Sequence, residues 1–431
     1  MGRGGRAGEN GRRTVTIEEV NEHKQRDDKW LVIQGKAYDI TNFAKRHPGG
    51  AKVISHYAGE DASDAWTAFH NDKEFVSKFL APLYVGDVVD YKPSSVQEDF
   101  RELREMVERK GWLKPNPAFF TFHLAHVIAL FLSPVFVLWY FGTGWLPWSA
   151  AMLLFATSQA QAGWTQHDYG HASVFKNTSV NHWFHHLVVG FIKGASSHWW
   201  NFRHFQHHAK PNKLSKDPDV DIAYLFLMGD EMPKVWGERK KGFMPYNFQH
   251  KYFFLLGPPL LLPIYFHFEV IYFCVKRRDY LDLFLTFSFF MWLSTAYATF
   301  LGGWGTFFFY MLARMIESHW FTWVTQMSHI PMDIKRDQKD EDWFTMQLHT
   351  TCNVDSTPFL DWFTGHLNYQ IEHHLFPTMP RHNYIKVAPF VRSMCEKHDI
   401  PYCCKPLLSA WGDVVRSLEK SGKIWYDAYH E

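Results

Sequence analysis

Cysteine is scarce: five in 431 residues (Cys274, Cys352, Cys395, Cys403, Cys404), irregularly spaced and with no CxxC pair. That excludes a zinc ribbon and a disulfide framework, and fits a reducing, cytosol-facing setting. Excess charge of either sign is also missing. With 45 Lys plus Arg against 44 Asp plus Glu, no overall field points to nucleic acid. The opening MGRGGRAGENGRR has no apolar core, so no cleavable signal peptide is expected there, and Arg6 spoils the myristoylation pattern that Gly2 would begin. Residues 1–13 read as a flexible leader. No GxGxxG follows a strand-like run, so a flavin or nicotinamide fold is not expected and any reductant must arrive through another protein.

Aromatic residues and histidine are abundant. Aromatics make up 18% of the chain, with 39 Phe and 19 Trp, as suits a protein lying in lipid with Trp and Tyr at the interfaces. Mean hydropathy is only −0.27, so a large polar portion accompanies any membrane portion. The 26 His gather in knots: HDYGH at 167–171, HFQHH at 204–208, and HLNYQIEHHLFP at 366–377.

Residues 14–90 have the mixed charge of a small soluble domain. In it FAKRHPGGAKVISHYAGEDASDAWTAFH runs from 43 to 70, with a tight turn at Pro48-Gly49-Gly50. This head resembles cytochrome b5. The resemblance implies that His47 and His70 ligate a haem b from opposite faces, leaving no open position on its iron, so that it carries electrons. Glu60, Asp61 and Asp64 read as solvated charges. Residues 91–118 form a linker, helical over 97–110 with Phe100, Leu103 and Val107 on one stripe, and read as a solvated hinge.

The body, 119–431, is expected to cross the bilayer four times: at 119–141, 147–165, 253–275 and once within 281–325. An even number of crossings between His208 and Gln370 keeps the knots on one face. The cost of that arrangement is that Lys276, Arg277 and Arg278 fall on the far side, against the charge bias of membrane loops.

Residues four apart share a helix face, so His167 and His171 project together. His204, His207 and His208 do so at i, i+3, i+4, and Gln370, His373 and His374 repeat that spacing with an amide first. Nitrogen-rich ligation suits iron or zinc. Seven imidazoles (His167, His171, His204, His207, His208, His373, His374) exceed one tetrahedral zinc site, so two metals fit. The Glu-x-x-His pairs of carboxylate-bridged di-iron bundles are absent, which favours a His-rich pair of irons. Asp168, Asp217 and Asp219 are candidates for orienting these rings. NHWFHH at 181–186 imitates a knot; His182, His185 and His186 read as surface groups or as supports for the ligands. Trp199, Trp200 and Asn201 are candidates for an acyl entrance, and Arg203, Lys210 and Lys213 for a phosphate contact.

HDYGH, HFQHH and QIEHH match the HxxxH, HxxHH and QxxHH boxes of the membrane fatty-acyl desaturases, which the body resembles, together with GPPLLLP, WVTQMSHIPM and HLFPTMPRHN. With the fused head the chain is similar to front-end acyl-CoA desaturases of the vertebrate Δ6 and Δ5 type. The resemblance implies two non-haem irons held by the seven imidazoles with Gln370 and His329 added. It implies O2 and a polyunsaturated acyl-CoA as substrates, and NADH electrons arriving through a cytochrome b5 reductase. It places the protein in the endoplasmic reticulum membrane with boxes and haem domain cytosolic, and the new double bond at Δ6, with Δ5 next. The expected fold is α-helical and membrane-spanning with a cytosolic metal cap and a small α+β head. A lipid hydroxylase of the same box type, and an inactive membrane-anchored electron carrier, are the competing readings.

Overall fold

A computed structural model describes residues 13–338 and 341–431. Of the expected leader, only Arg13 falls among them. The chain is mostly helical, with one small α+β unit at its head.

The head builds a five-stranded sheet from β1 (Thr14–Val15), β2 (Lys24–Gln25), β3 (Asp28–Ile33), β4 (Lys36–Asp39) and β5 (Tyr84–Val88), in the order β1-β5-β4-β3-β2. β1 runs parallel to β5 and the other pairs are antiparallel. Gln34 and Gly35 close the β3–β4 hairpin, both at positive φ, which gives the twist a two-residue hairpin turn prefers. Helix α1 (Ser63–Phe69) packs under β3 and ends at His70.

The linker differs from expectation. Helix α2 (Ser95–Arg109) starts with a reciprocal capping box between Ser94 and Gln97. It then buries Phe100, Leu103 and Val107, the predicted stripe, in a core made jointly with Leu31, Tyr57, Phe344 and Phe376. Arg101 donates to Asp64 at 2.9 Å. The apolar face therefore welds head to body instead of leaving a solvated hinge. Glu60 and Asp64, expected as solvated charges, are tied into these contacts: Glu60 meets Lys210 at 2.6 Å and Lys216 at 3.3 Å.

Three helical stretches among the described residues are long and apolar enough to cross a membrane: Pro117–Phe141, Tyr246–Arg277 and Tyr280–Gln326. The first, α3, is capped by Asn116 with Pro117 in its first turn. It pairs with α4 (Trp145–Gly170), whose Ser and Gln lower its hydropathy. Helix α5 (Ser197–Ala209) follows, capped by Ser196.

The chain from 249 to 329 is tied to its neighbours along its length. Gln249 donates to Leu227 O and Leu418 O, on the His-bearing side. The stretch then runs along the last apolar helix: Phe254 stacks on Trp323 at 4.1 Å, Leu262 N–H meets Ser318, and His267 meets the Tyr310 hydroxyl at 2.6 Å. Prolines 258, 259 and 263 and a π-turn at Leu261–Tyr265 bend it, and Arg277 returns to lie over Phe202 of α5. Tyr280–Gln326 is two helices broken at Gly302 (φ 68°). Tyr297 packs on Phe309 and Phe289 on Tyr310, so 280–301 and 303–326 form an antiparallel hairpin. Lys276, Arg277 and Arg278 stand at the end of this stretch, where Arg277 lies beside the helix that bears His204, His207 and His208.

Candidate metal centre

The His knots converge. Five imidazoles, His167 and His171 from the end of α4, His204 and His208 from α5, and His373 from α6 (Gln370–Leu375), have ligand nitrogens within 4.8 Å of one another. Three more, His207, His329 and His374, form a second such group beside it. The i, i+4 pair His204 and His208 serves the first group, while His207, rotated by its i+3 spacing, serves the second. His373 and His374, adjacent in sequence, point to different groups for the same reason.

Nitrogen geometry distinguishes a ligand set from satisfied core histidines. His204 Nε2 lies 2.8 Å from His171 Nε2, 3.2 Å from His167 Nε2 and 3.0 Å from His208 Nε2. Meanwhile outer partners occupy the Nδ1 atoms: Asp217 on His207 (2.8 Å), Thr350 O on His329 (3.0 Å), Gln347 on His374 (2.9 Å) and Tyr384 on His373 (3.0 Å). Fixing Nδ1 outward sets the tautomer and leaves Nε2 for a metal. His373 Nε2 is buried with no hydrogen-bond partner among the described residues. Burial, and then the neighbouring rings, hold His204, His208, His373 and His374 well below the usual imidazole range; burial also lowers His329 to about 3. Neutral rings are what a metal needs. His207 is the exception. Burial disfavours its cation most strongly of any single cause, but the Asp217 and Asp219 carboxylates together raise it.

Gln370 Nε2 stands 2.8 Å from His329 Nε2 and 3.3 Å from His374 Nε2, while its Oε1 is buried and without a partner among the described residues. Turned over, the amide presents that oxygen to the second group. Glu372 points away, accepting from Asn353 and Tyr402 at 2.8 Å each. Gly170 inside HDYGH has a packing cause: a Cβ there would collide with the Trp200 ring, which stacks on His204 at 4.1 Å.

Other sequence candidates fall elsewhere. Asp217 supports His207, and Asp219 stands 3.9 Å from the same Nδ1 while pairing with Arg203 at 3.2 Å; Asp168 pairs with Arg381 at 3.3 Å. His185 meets Gln166 and His186 meets Asp282, both at 2.7 Å, outside the two groups. Lys210, Lys213 and Arg203, candidates for phosphate, are neutralised by Glu60, Glu341 and Glu269. Trp199 and Trp200 border a cavity that reaches His204, whereas Asn201 faces a second cavity beside Pro48 to Gly50. Gln347, Thr350 and Tyr384 were missed. They stand 27, 21 and 11 positions from the rings they hold, at no helical spacing that would mark them.

In the head, the His47 and His70 rings lie edge to face, 6.2 Å between centroids and 77° between planes. His70 Nδ1 is held by Trp66 O at 2.8 Å, leaving Nε2 free. Gly49 packs so closely on the His47 ring that a Cβ would sit 3.0 Å from it, and Gly50 has φ 101°, so the turn requires its glycines. These features fit a haem held from two sides.

A family model described as fatty acid desaturase matches residues 143–406, and one described as a cytochrome b5-like haem/steroid binding domain matches residues 16–89. Among solved structures, cytochrome b5 of Ostreococcus tauri virus 2 is similar to the head. It is 34% identical, over 17% of this chain and 92% of that one, with a TM-score of 0.16.

Proposed function

The chain belongs to the fatty acid desaturase family, and from that premise we propose that it is a front-end desaturase placing a cis double bond between the carboxyl end and the existing double bonds of a polyunsaturated acyl-CoA. It is a membrane oxidoreductase with a haem-type head and non-haem iron, acting on fatty acyl chains with O2. Regioselectivity is read as Δ6, with Δ5 next. Electrons are read as coming from NADH through a separate reductase, and the membrane as the endoplasmic reticulum, with the His-bearing face in the cytosol. The cations at 276–278 on that face support this orientation. The crossings are then 117–141, 145–170 and the two arms about Gly302, with 246–277 entering and leaving on one side.

The observation that carries the reading is the sorting of eight imidazoles into two adjacent groups with Nε2 inward. His167, His171, His204, His208 and His373 would hold one iron; His207, His329, His374 and Gln370 would hold the other. His47 and His70 would hold the haem. Bound iron supplies the oxygen chemistry needed to take two hydrogens from unactivated methylenes. The protein's part is positional. Asp217, Gln347, Thr350 and Tyr384 orient the rings, Trp200 walls the first group, and the cavity bordered by His204 sets which carbons approach. Tyr57 donates to Ala209 O at 2.6 Å, one residue from His208, which holds the head close to the metal site.

Expression in a yeast that makes no polyunsaturates, with candidate acids fed and products mapped, tests this. A new double bond on the carboxyl side of existing ones is expected. An alcohol would instead indicate a hydroxylase, and no product with haem iron alone an electron carrier.

A further inference from the structure

Three of the five cysteines meet where two distant segments pair. Strand β6 (Asn353–Val354) runs parallel to β7 (Cys404–Lys405) with Asn353 opposite Cys404, so Cys352 and Cys403 stand opposite each other one step earlier. Asn353 N–H donates to Cys403 O at 2.9 Å, which carries the pairing up to these residues. Adjacent strands lie about 4.8 Å apart, inside the Cα separation of about 4.4–6.8 Å that a disulfide spans. The two thiols are free and hydrogen-bonded to each other. Cys352 is buried, Cys403 half-buried and Cys404 exposed. The hydrogen bond from Cys352, and then Lys405 against the opposing effect of burial, lowers the Cys403 thiol to about 6 from an ordinary 9. Burial and the Asp355 carboxylate, 3.6 Å away, raise Cys404 to about 11. An accessible thiolate with a sheltered thiol behind it is the arrangement of a redox-responsive pair.

We propose that Cys403 and Cys352 are a peroxide-sensitive pair that closes to a reversible disulfide and, when closed, loosens the second imidazole group. The Cys403 thiolate attacks hydrogen peroxide: an S–O bond forms, the O–O bond breaks, and the hydroxide released takes up the proton Cys403 lost on ionising. Cys352 then attacks the Cys403 sulfur. The S–S bond forms, the S–O bond breaks, and a second hydroxide leaves with the Cys352 proton. Two thiols are oxidised by two electrons, and one peroxide is reduced to two waters. The segment itself makes the link to the metal centre. Cys352 N–H donates to Ser328 O at 3.0 Å, beside His329, and Thr350 O, two residues back, holds His329 Nδ1. Asn353 accepts from Ile371 N–H and donates to Glu372, both at 2.8 Å, on the helix of Gln370 and His374. A bond drawn between 352 and 403 pulls on both supports.

The test treats the purified full-length protein, with haem and iron bound, with one equivalent of hydrogen peroxide. Free thiols are blocked, peptides are mapped without reductant, and the iron that a chelator removes is counted. A disulfide between Cys352 and Cys403 is expected, undone by dithiothreitol, with one of the two non-haem irons lost to the chelator only while it is closed. Cys404→Ser is expected to leave the bond, and Cys403→Ser to prevent it and keep the iron. Should Cys403→Ser fail to fold, the wild-type map decides. A bond between Cys403 and Cys404, or Cys403 oxidised further with Cys352 still free, would overturn the pair. A closed pair with iron retention unchanged would overturn its coupling to the second group. The iron count rests on the desaturase reading and the thiol map does not, so a protein without non-haem iron defeats that reading while the map still decides on the pair.

Discussion

The Phe69 ring stands edge-on to the His208 imidazole, 6.4 Å between centroids, and Phe69 immediately precedes His70. One side chain thus joins the candidate haem ligand of the head to a candidate iron ligand of the body. Asn71 to Ala172 O at 3.1 Å and Thr378 to Ala68 O at 3.4 Å hold the same segment in place. Phe69→Leu keeps most of the bulk and removes the ring. The haem absorption band is expected to stay as in wild type while product formation falls several-fold.

Removing an inward imidazole affects the body only. His373→Ala is expected to abolish turnover and lower non-haem iron content, with the haem band intact; loss of that band would contradict separate sites. His329→Ala is expected to release iron from the second group while the first retains its own, read as metal per chain.

Asp217 sits on His207 Nδ1 at 2.8 Å and fixes that ring. Asp217→Asn is expected to weaken iron retention roughly 10- to 100-fold, the usual effect of losing an outer carboxylate. A chelator titration of the purified protein measures this.

Gly302 carries a positive φ in open space, and a Cβ there would meet no described atom within 4 Å. Gly302→Ala is therefore a pure backbone strain of about 1–3 kcal/mol and should lower the melting temperature. Gly303→Ala, one residue on, carries no such φ and is expected to be neutral or slightly stabilising.

His56 sits at the seam between head and body, its carbonyl bonded by Lys216 at 2.9 Å and its Nε2 buried without a described partner. Burial, then Lys216, Lys210 and Lys52, lower its pKa to about 4 from an ordinary 6.5. Below 6.5 the unfolded chain takes up a proton that the folded one refuses. Stability from this group is full above pH 6.5 and declines as pH falls toward 4. His56→Gln should flatten that part of a melting-temperature profile.

Much of the candidate metal centre was legible because its imidazoles recur at helical spacing. HDYGH, HFQHH and QIEHH each place rings on a shared face, and the pattern needs no partner to be seen. The capping box at Ser94 and the stripe of Phe100, Leu103 and Val107 were readable for the same reason, though not what the stripe would cover. It covers the joint core of head and body, which made a weld of an expected hinge.

The sequence by itself determined the local units: the HPGG turn, the His-bearing helices, the apolar stretches and their lengths. These follow from backbone restriction and side-chain periodicity within a few residues. Only the tertiary structure decided which imidazole joined which group, and that the chain turned back at Gly302. Those outcomes depend on contacts between residues tens to hundreds of positions apart, such as Gln347 with His374 and Arg277 with Phe202, which no local spacing encodes.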